Sequence, residues 1–268
     1  MKISVVQMDC DPGNIKSNME KISFYSYKAR EKGSDIVVFP EMVDTGYNMD
    51  IIRKNACAWD ESDDNCPFSI IKKAALDNKI NIICNISEKV NKKIYNTTLV
   101  SGLNGNLIGK YRKNHLADFS PLNEGSCITP GRDLVVVEIN NIKFGLLTCY
   151  DLRFPEMSRA LVLRGADILV LCSAWPFPRL VHLKTLIRAR AIENQVFFIS
   201  ANRTGTDNSV DFCGSSTIAD PYGVTLSSAC DNGEAHIFSE IDINIIKKIR
   251  YDLPVFDHRT KLDKQPLI

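Results

Sequence analysis

An apolar run, Asn141-Ile142-Lys143-Phe144-Gly145-Leu146-Leu147, ends at Thr148-Cys149-Tyr150-Asp151, and a helix-like stretch starts at Pro155. The pattern predicts a short buried strand that delivers a thiol to a strand-to-helix elbow, with Pro155 in the first helical turn and Gly165 as the stop. At such an elbow the positive end of a helix, and any nearby ammonium group, favours thiolate over thiol, so Cys149 reads as a nucleophile. The plain alternative is a cysteine that only packs in the core.

Three further stretches put a polar residue at or near the end of an apolar or strand-like segment. Glu41 directly follows Val37-Val38-Phe39-Pro40, where apolar surroundings raise a carboxyl pKa towards that of a general acid/base; a capping or surface glutamate is the competing reading. In Gly109-Lys110-Tyr111-Arg112-Lys113-Asn114-His115-Leu116, Lys110 reads as the charge that protects an edge strand, and His115 as a structural hydrogen-bonding residue. Lys113, with the backbone N–H of Tyr150, has the chemistry to hold the negative oxygen that forms when a thiolate attacks a carbonyl. Glu124, in the loop Phe119-Ser120-Pro121-Leu122-Asn123-Glu124-Gly125, is a second active-site carboxylate or simply exposed, and the residues by themselves favour exposure. No G-x-S-x-G elbow and no phosphate-loop spacing occurs.

The elements that must carry these groups alternate. Strands are expected over 2–8, 35–39, 80–87, 167–172 and 196–201, with helices over 15–32, 67–79, 180–194 and 242–251. Asn104-Gly105 marks a tight hairpin between 95–102 and 107–111, so the sheet should be mixed. Further strand pairs are expected around Pro221-Tyr222-Gly223 and around Asn232-Gly233. Without a repeat or linker, the pattern predicts one α/β domain over residues 1–268.

The composition is that of an ordinary globular chain: 44% hydrophobic, 24% charged and a net charge of +1. It lacks the excess of one sign that nucleic acid or membrane binding needs. The N-terminal apolar stretch is too short for a signal peptide and no membrane-length run occurs, so a cytoplasmic protein is expected. The nine cysteines form no C-x-x-C pair and the four histidines no H-E-x-x-H motif, so neither a disulfide framework nor a metal or other cofactor is expected.

Taken together, Val37-Val38-Phe39-Pro40-Glu41, Tyr111-Arg112-Lys113-Asn114-His115-Leu116 and Cys149-Tyr150-Asp151-Leu152-Arg153-Phe154-Pro155 resemble, in order, the glutamate, lysine and cysteine motifs of the nitrilase superfamily of carbon–nitrogen hydrolases. The resemblance implies Cys149 as nucleophile, Glu41 as general base and acid, and Lys113 as oxyanion holder. It also implies that Glu124 is catalytic, because Glu124-Gly125-Ser126-Cys127-Ile128-Thr129-Pro130-Gly131 is similar to the segment carrying the family's second glutamate. The implied fold is a four-layer α-β-β-α sandwich with two mixed β-sheets, usually paired into a homodimer, with residues 254–268 as a tail used in dimerisation. Tyr150-Asp151 after the cysteine, in place of the Trp-Glu of nitrile-specific branches, points to an amide, and the chain looks most like omega-amidases. A small carboxylate-bearing primary amide resembling 2-oxoglutaramate is the expected substrate, cleaved through a cysteine thioester with release of ammonia. Hydrolysis of N-carbamoyl amino acids or of deaminated glutathione is the alternative, and a non-catalytic scaffold the reading from another class. Tyr47, Tyr150 and Trp175 are the expected pocket walls, with core packing as their alternative role. Arg179 is a candidate for holding a substrate carboxylate.

Overall fold

The computed structural model describes residues 1–60, 62–207 and 209–260. In chain order its elements are β1 (Lys2–Gln7), α1 (Ile15–Glu31), β2 (Ile36–Val38), α2 (Met49–Asn55), α3 (Pro67–Asn78), β3 (Asn81–Val90), β4 (Lys93–Ser101), β5 (Leu107–Arg112), β6 (Val136–Ile139), β7 (Ile142–Thr148), α4 (Pro155–Leu163), β8 (Ile168–Ser173), α5 (Leu180–Asn194), β9 (Phe197–Asn202), β10 (Thr204–Asp207), β11 (Val210–Cys213), β12 (Thr217–Ala219), β13 (Thr225–Ser228), β14 (Ala235–Glu240) and α6 (Asn244–Asp252).

Two six-stranded sheets result, ordered β14-β1-β2-β3-β4-β5 and β13-β12-β9-β8-β7-β6. Each is mixed, as expected: β1, β2 and β3 run parallel, as do β7, β8 and β9, and the outer strands are antiparallel. The continuous apolar runs of the central strands are explained by burial on both faces. In the first sheet Ile3, Val5, Ile36, Val38 and Ile83 join the core shared with Phe144, Leu146 and Val170 of the second, while Val6, Val37 and Ile82 pack with Met19, Ile22 and Ile71 of α1 and α3. On the second sheet's outer face, α4 and α5 contribute Leu161, Leu183 and Ile187. The layers are therefore helix, sheet, sheet, helix.

The Asn14 side chain caps α1, Pro67 and Pro155 open α3 and α4, and Gly165 with φ +94° follows α4. The hairpin β4–β5 turns at Asn104-Gly105, and β12–β13 turns at Tyr222-Gly223. The strand pair expected at Asn232-Gly233 does not form. Instead, β14 leaves the second sheet and pairs antiparallel with β1, placing His236 opposite Val6. Gln7 fixes this return by donating from Nε2 to the carbonyls of Cys230 and Gly233, at 2.9 and 2.8 Å, while its Oε1 accepts from Ser216 N. The short helix α2 and the hairpin β10–β11 carried no distinct pattern in the sequence.

Candidate active site

Glu41 lies three residues beyond β2, Cys149 directly beyond β7 and Lys113 directly beyond β5. Glu41 and Cys149 thus occupy the carboxyl ends of parallel strands in different sheets, where crevices form in α/β folds. The seam between sheets is closed by backbone: Glu41 N donates to Ser173 O, and Ala174 N donates to Glu41 Oε2 at 2.8 Å. One carboxylate oxygen is thereby locked, and the other faces the lysine.

Lys113 Nζ, fully buried, lies 2.9 Å from Glu41 Oε1 and 2.8 Å from Glu124 Oε2. Glu124 begins a single 3-10 turn and is also fully buried, so the exposed position favoured by its own neighbours in sequence is corrected. Its pairing with Lys113 is what makes burial of the charge affordable in a loop. Burial would lower the Lys113 pKa, but the Glu124 and Glu41 carboxylates outweigh it and hold the ammonium well above the usual lysine range. Burial pushes Glu41 above the usual carboxylate range, with Lys113 opposing and Glu124 adding to the rise.

Cys149 has φ +42°, a conformation non-glycine residues adopt only when their surroundings hold them there. What holds it is Asp151. Its Oδ2 accepts from Thr148 N at 3.0 Å and from the Tyr111 hydroxyl at 2.6 Å, and its Oδ1 accepts from His115 N at 3.0 Å. His115 Nδ1 meets the same Oδ1 at 2.9 Å and its ring stacks on Phe154, the structural role expected of it. A 3-10 turn, Cys149–Arg153, separates the elbow from α4. The thiol differs from expectation: burial, then the Glu41 charge, pushes it well above its ordinary pKa, with Lys113 opposing. Cys149 rests as a thiol and needs a base.

Cys149 lines a narrow cleft together with Phe119, Tyr150, Arg153, Trp175 and Arg179. Tyr150 and Trp175 are thus among its walls. Tyr47 is buried beside Lys113, its ring 6.0 Å from Nζ, and lines the adjoining hollow with Asn48 and Asp50. Lys110 pairs with Glu88 at 2.8 Å on the edge strand β5, also as anticipated. Two participants carried no signal of their own in the sequence. Asn96 in β4 donates through Nδ2 to Glu41 Oε1 at 2.6 Å and to Glu124 Oε1 at 3.2 Å; Arg153, inside the cysteine motif, lies over the Trp175 ring at 4.6 Å.

The carbon–nitrogen hydrolase family profile matches residues 2–251. The chain belongs to the carbon–nitrogen hydrolase family. This carbon–nitrogen hydrolase is 34% identical over 256 residues to a 2-oxoglutaramate amidase of Bacillus subtilis, covering 95% of this chain and 96% of the relative. It is 40% identical over 182 residues to a deaminated glutathione amidase of Dictyostelium discoideum, covering 65% of this chain and 62% of the relative. Among solved structures, Saccharomyces cerevisiae Nit3, a member of branch 10 of the nitrilase superfamily, superposes with a TM-score of 0.87 at 27% identity, covering 98% of this chain and 97% of Nit3. The protein is a hydrolase acting on carbon–nitrogen bonds other than peptide bonds.

Proposed function

We propose that this hydrolase cleaves a small carboxylate-bearing primary amide of the 2-oxoglutaramate kind, with Cys149, Glu41, Lys113 and Glu124 as its catalytic residues. Glu41 takes the Cys149 proton as the sulfur attacks the amide carbon, and the Lys113 ammonium with the Tyr150 N–H receives the oxyanion. The tetrahedral intermediate collapses to a thioester, and ammonia leaves with the proton returned by Glu41. Glu41 then deprotonates the water that cleaves the thioester, while Glu124 keeps Lys113 in place. Because the thiol pKa is raised, thiolate forms only as attack proceeds, and the raised Glu41 pKa narrows the gap this proton must cross.

The observation that carries the substrate class is the arginine pair. Arg153 and Arg179 both line the cleft beside the sulfur, and among the described residues neither forms an ion pair with a carboxylate. Their aromatic partners, Trp175 for Arg153 and Phe119 for Arg179 at 5.4 Å, support the planes and leave donors for an anion. Similarity to the 2-oxoglutaramate amidase points the same way. Similarity to the deaminated glutathione amidase supports a second, larger substrate.

Release of ammonia from 2-oxoglutaramate, of cysteinylglycine from deaminated glutathione, and of ammonia with carbon dioxide from an N-carbamoyl amino acid, assayed side by side, tests the reading. The keto-acid amide is expected to give the highest kcat/KM, Cys149→Ala none, and Arg179→Ala a KM raised about 10- to 100-fold, the loss typical of a hydrogen bond to a charged group. No turnover of any of the three would return the scaffold reading. Exposed Leu163 at the end of α4 and exposed Val181 and Ile192 on α5 support a homodimer, which light scattering tests. In the tail, Phe256 packs under Arg159 and Arg250; residues 261–268 lie outside the described residues. No helix of the described residues is long and apolar enough to cross a membrane, and nine unpaired cysteines suit the reducing cytoplasm.

A further inference from the structure

Cys57 and Cys66 are nine positions apart, yet their sulfurs lie 3.3 Å from each other, and among the described residues no other two of the nine cysteines touch. Each is fixed by its own backbone. Cys57 O accepts from Lys89 N at 2.9 Å, which pins it beside the end of β3. Cys66 is the residue before α3, its N–H donates to Asp63 O, and the helix it precedes opens with Pro67 and packs on α1. Between them the chain makes an exposed acidic turn through Asp60, Asp63 and Asp64, with Trp59 stacked on Phe68 at 4.5 Å. Cys57 is only half-buried, while Cys66 is buried directly beneath this exposed turn, so a small oxidant approaches the pair from the Cys57 side.

We propose that Cys57 and Cys66 form a reversible intramolecular disulfide on exposure to hydrogen peroxide, a modification site separate from the catalytic thiol. A bond of about 2.04 Å needs each sulfur to move only about 0.6 Å. The two sulfurs are not equivalent. Cys66 stands at the N-terminus of α3, where the backbone amides of Phe68 and Ser69 favour a thiolate, and the Cys57 S–H 3.3 Å away can donate to it. Cys66 thus attacks the peroxide: an S–O bond forms, the O–O bond breaks and one water leaves. Cys57 then attacks the sulfenic sulfur; the S–S bond forms, the S–O bond breaks, and the departing hydroxide takes the Cys57 proton as a second water. Two thiols are oxidised and one peroxide is reduced. Burial and the Glu41 carboxylate disfavour thiolate at Cys149, which makes it the poorer competitor for peroxide.

The full chain, treated with one equivalent of hydrogen peroxide and digested with trypsin without reductant, tests this. No lysine or arginine separates the cysteines, so both fall in one tryptic peptide, residues 55–72. The expected product is that peptide two hydrogens lighter, whose halves after cleavage at Glu61 stay joined until a reductant is added. In Cys57→Ser the expected product is a dimedone adduct on Cys66; in Cys66→Ser, Cys57 is expected to react at least tenfold more slowly than Cys66 does in its variant. A peptide of unchanged mass while Cys149 is consumed, a crosslink through exposed Cys230 to another molecule, or sulfinic acid at both positions would overturn the proposal.

Discussion

Lys113 holds apart two buried carboxylates, so removing it does more than delete an oxyanion donor. Loss of the donor alone costs about 10²- to 10³-fold in rate. Leaving Glu41 and Glu124 facing each other without the ammonium adds about 3–5 kcal/mol of lost stability, the usual penalty for breaking a buried ion pair. Lys113→Ala is therefore expected to be both slow and fragile, readable as a lower urea midpoint beside a depressed kcat/KM; wild-type stability would mean that the two carboxylates are not ionised together. Glu41 has a pH signature as well. A base works only when deprotonated, and burial raises its pKa, so kcat/KM should fall on acidification at a pH above the usual carboxylate range of about 4.3. A rate profile between pH 4 and 9 checks this. At this scale much was legible in sequence: Glu41, Lys113 and Cys149 each stand at or just beyond a strand end that local pattern reveals. Asn96 was not, because an asparagine inside a strand acquires meaning only when the topology sets it between two distant carboxylates.

Among the elements, the pairing of β14 with β1 illustrates where local reading stops. Asn232-Gly233 carries the dipeptide of a tight turn, but β14 pairs with a strand 228 to 238 positions away, and the Gln7 amide that fixes the chain's return acts across 223 and 226 positions. Strand existence is written in nearby residues; strand partnership is not. The same junction has a titration of its own. His236 in β14 sits with Nε2 2.7 Å from Ser4 Oγ of β1, and burial, aided by Lys32, lowers its pKa to about 4. The unfolded chain, with a histidine near 6.5, binds a proton that the folded strand refuses. Stability contributed here is present above about pH 6.5 and is lost as pH falls towards 4. Urea midpoints at pH 7.5 and 5 should fall less in His236→Gln than in wild type.

For the molecule as a whole, the site draws Glu41 from one sheet and Cys149 and the Ala174 amide from the other, so it exists only while the sheets are docked. One continuous core spans that seam, from Ile3 and Val38 to Phe144 and Val170. Burial of each such apolar side chain contributes about 1.5–3 kcal/mol, which couples the sheets into a single unit. Loss of activity and loss of far-ultraviolet circular dichroism in urea should therefore coincide; an activity transition at clearly lower urea would mean that the seam opens first. The four-layer arrangement was inferable from motif resemblance, and the alternation of strands and helices agreed with it. The seam's backbone contacts were not inferable, since Ser173 and Ala174 look in sequence like the ordinary end of a strand.

Asp151 gives the last consequence. A single side chain grips the strand-end tyrosine and His115 on the lysine's side, and the threonine amide on the sulfur's side. The ammonium and the nucleophile are in effect two prongs of one fork, and a single carboxylate at its base sets the span between them.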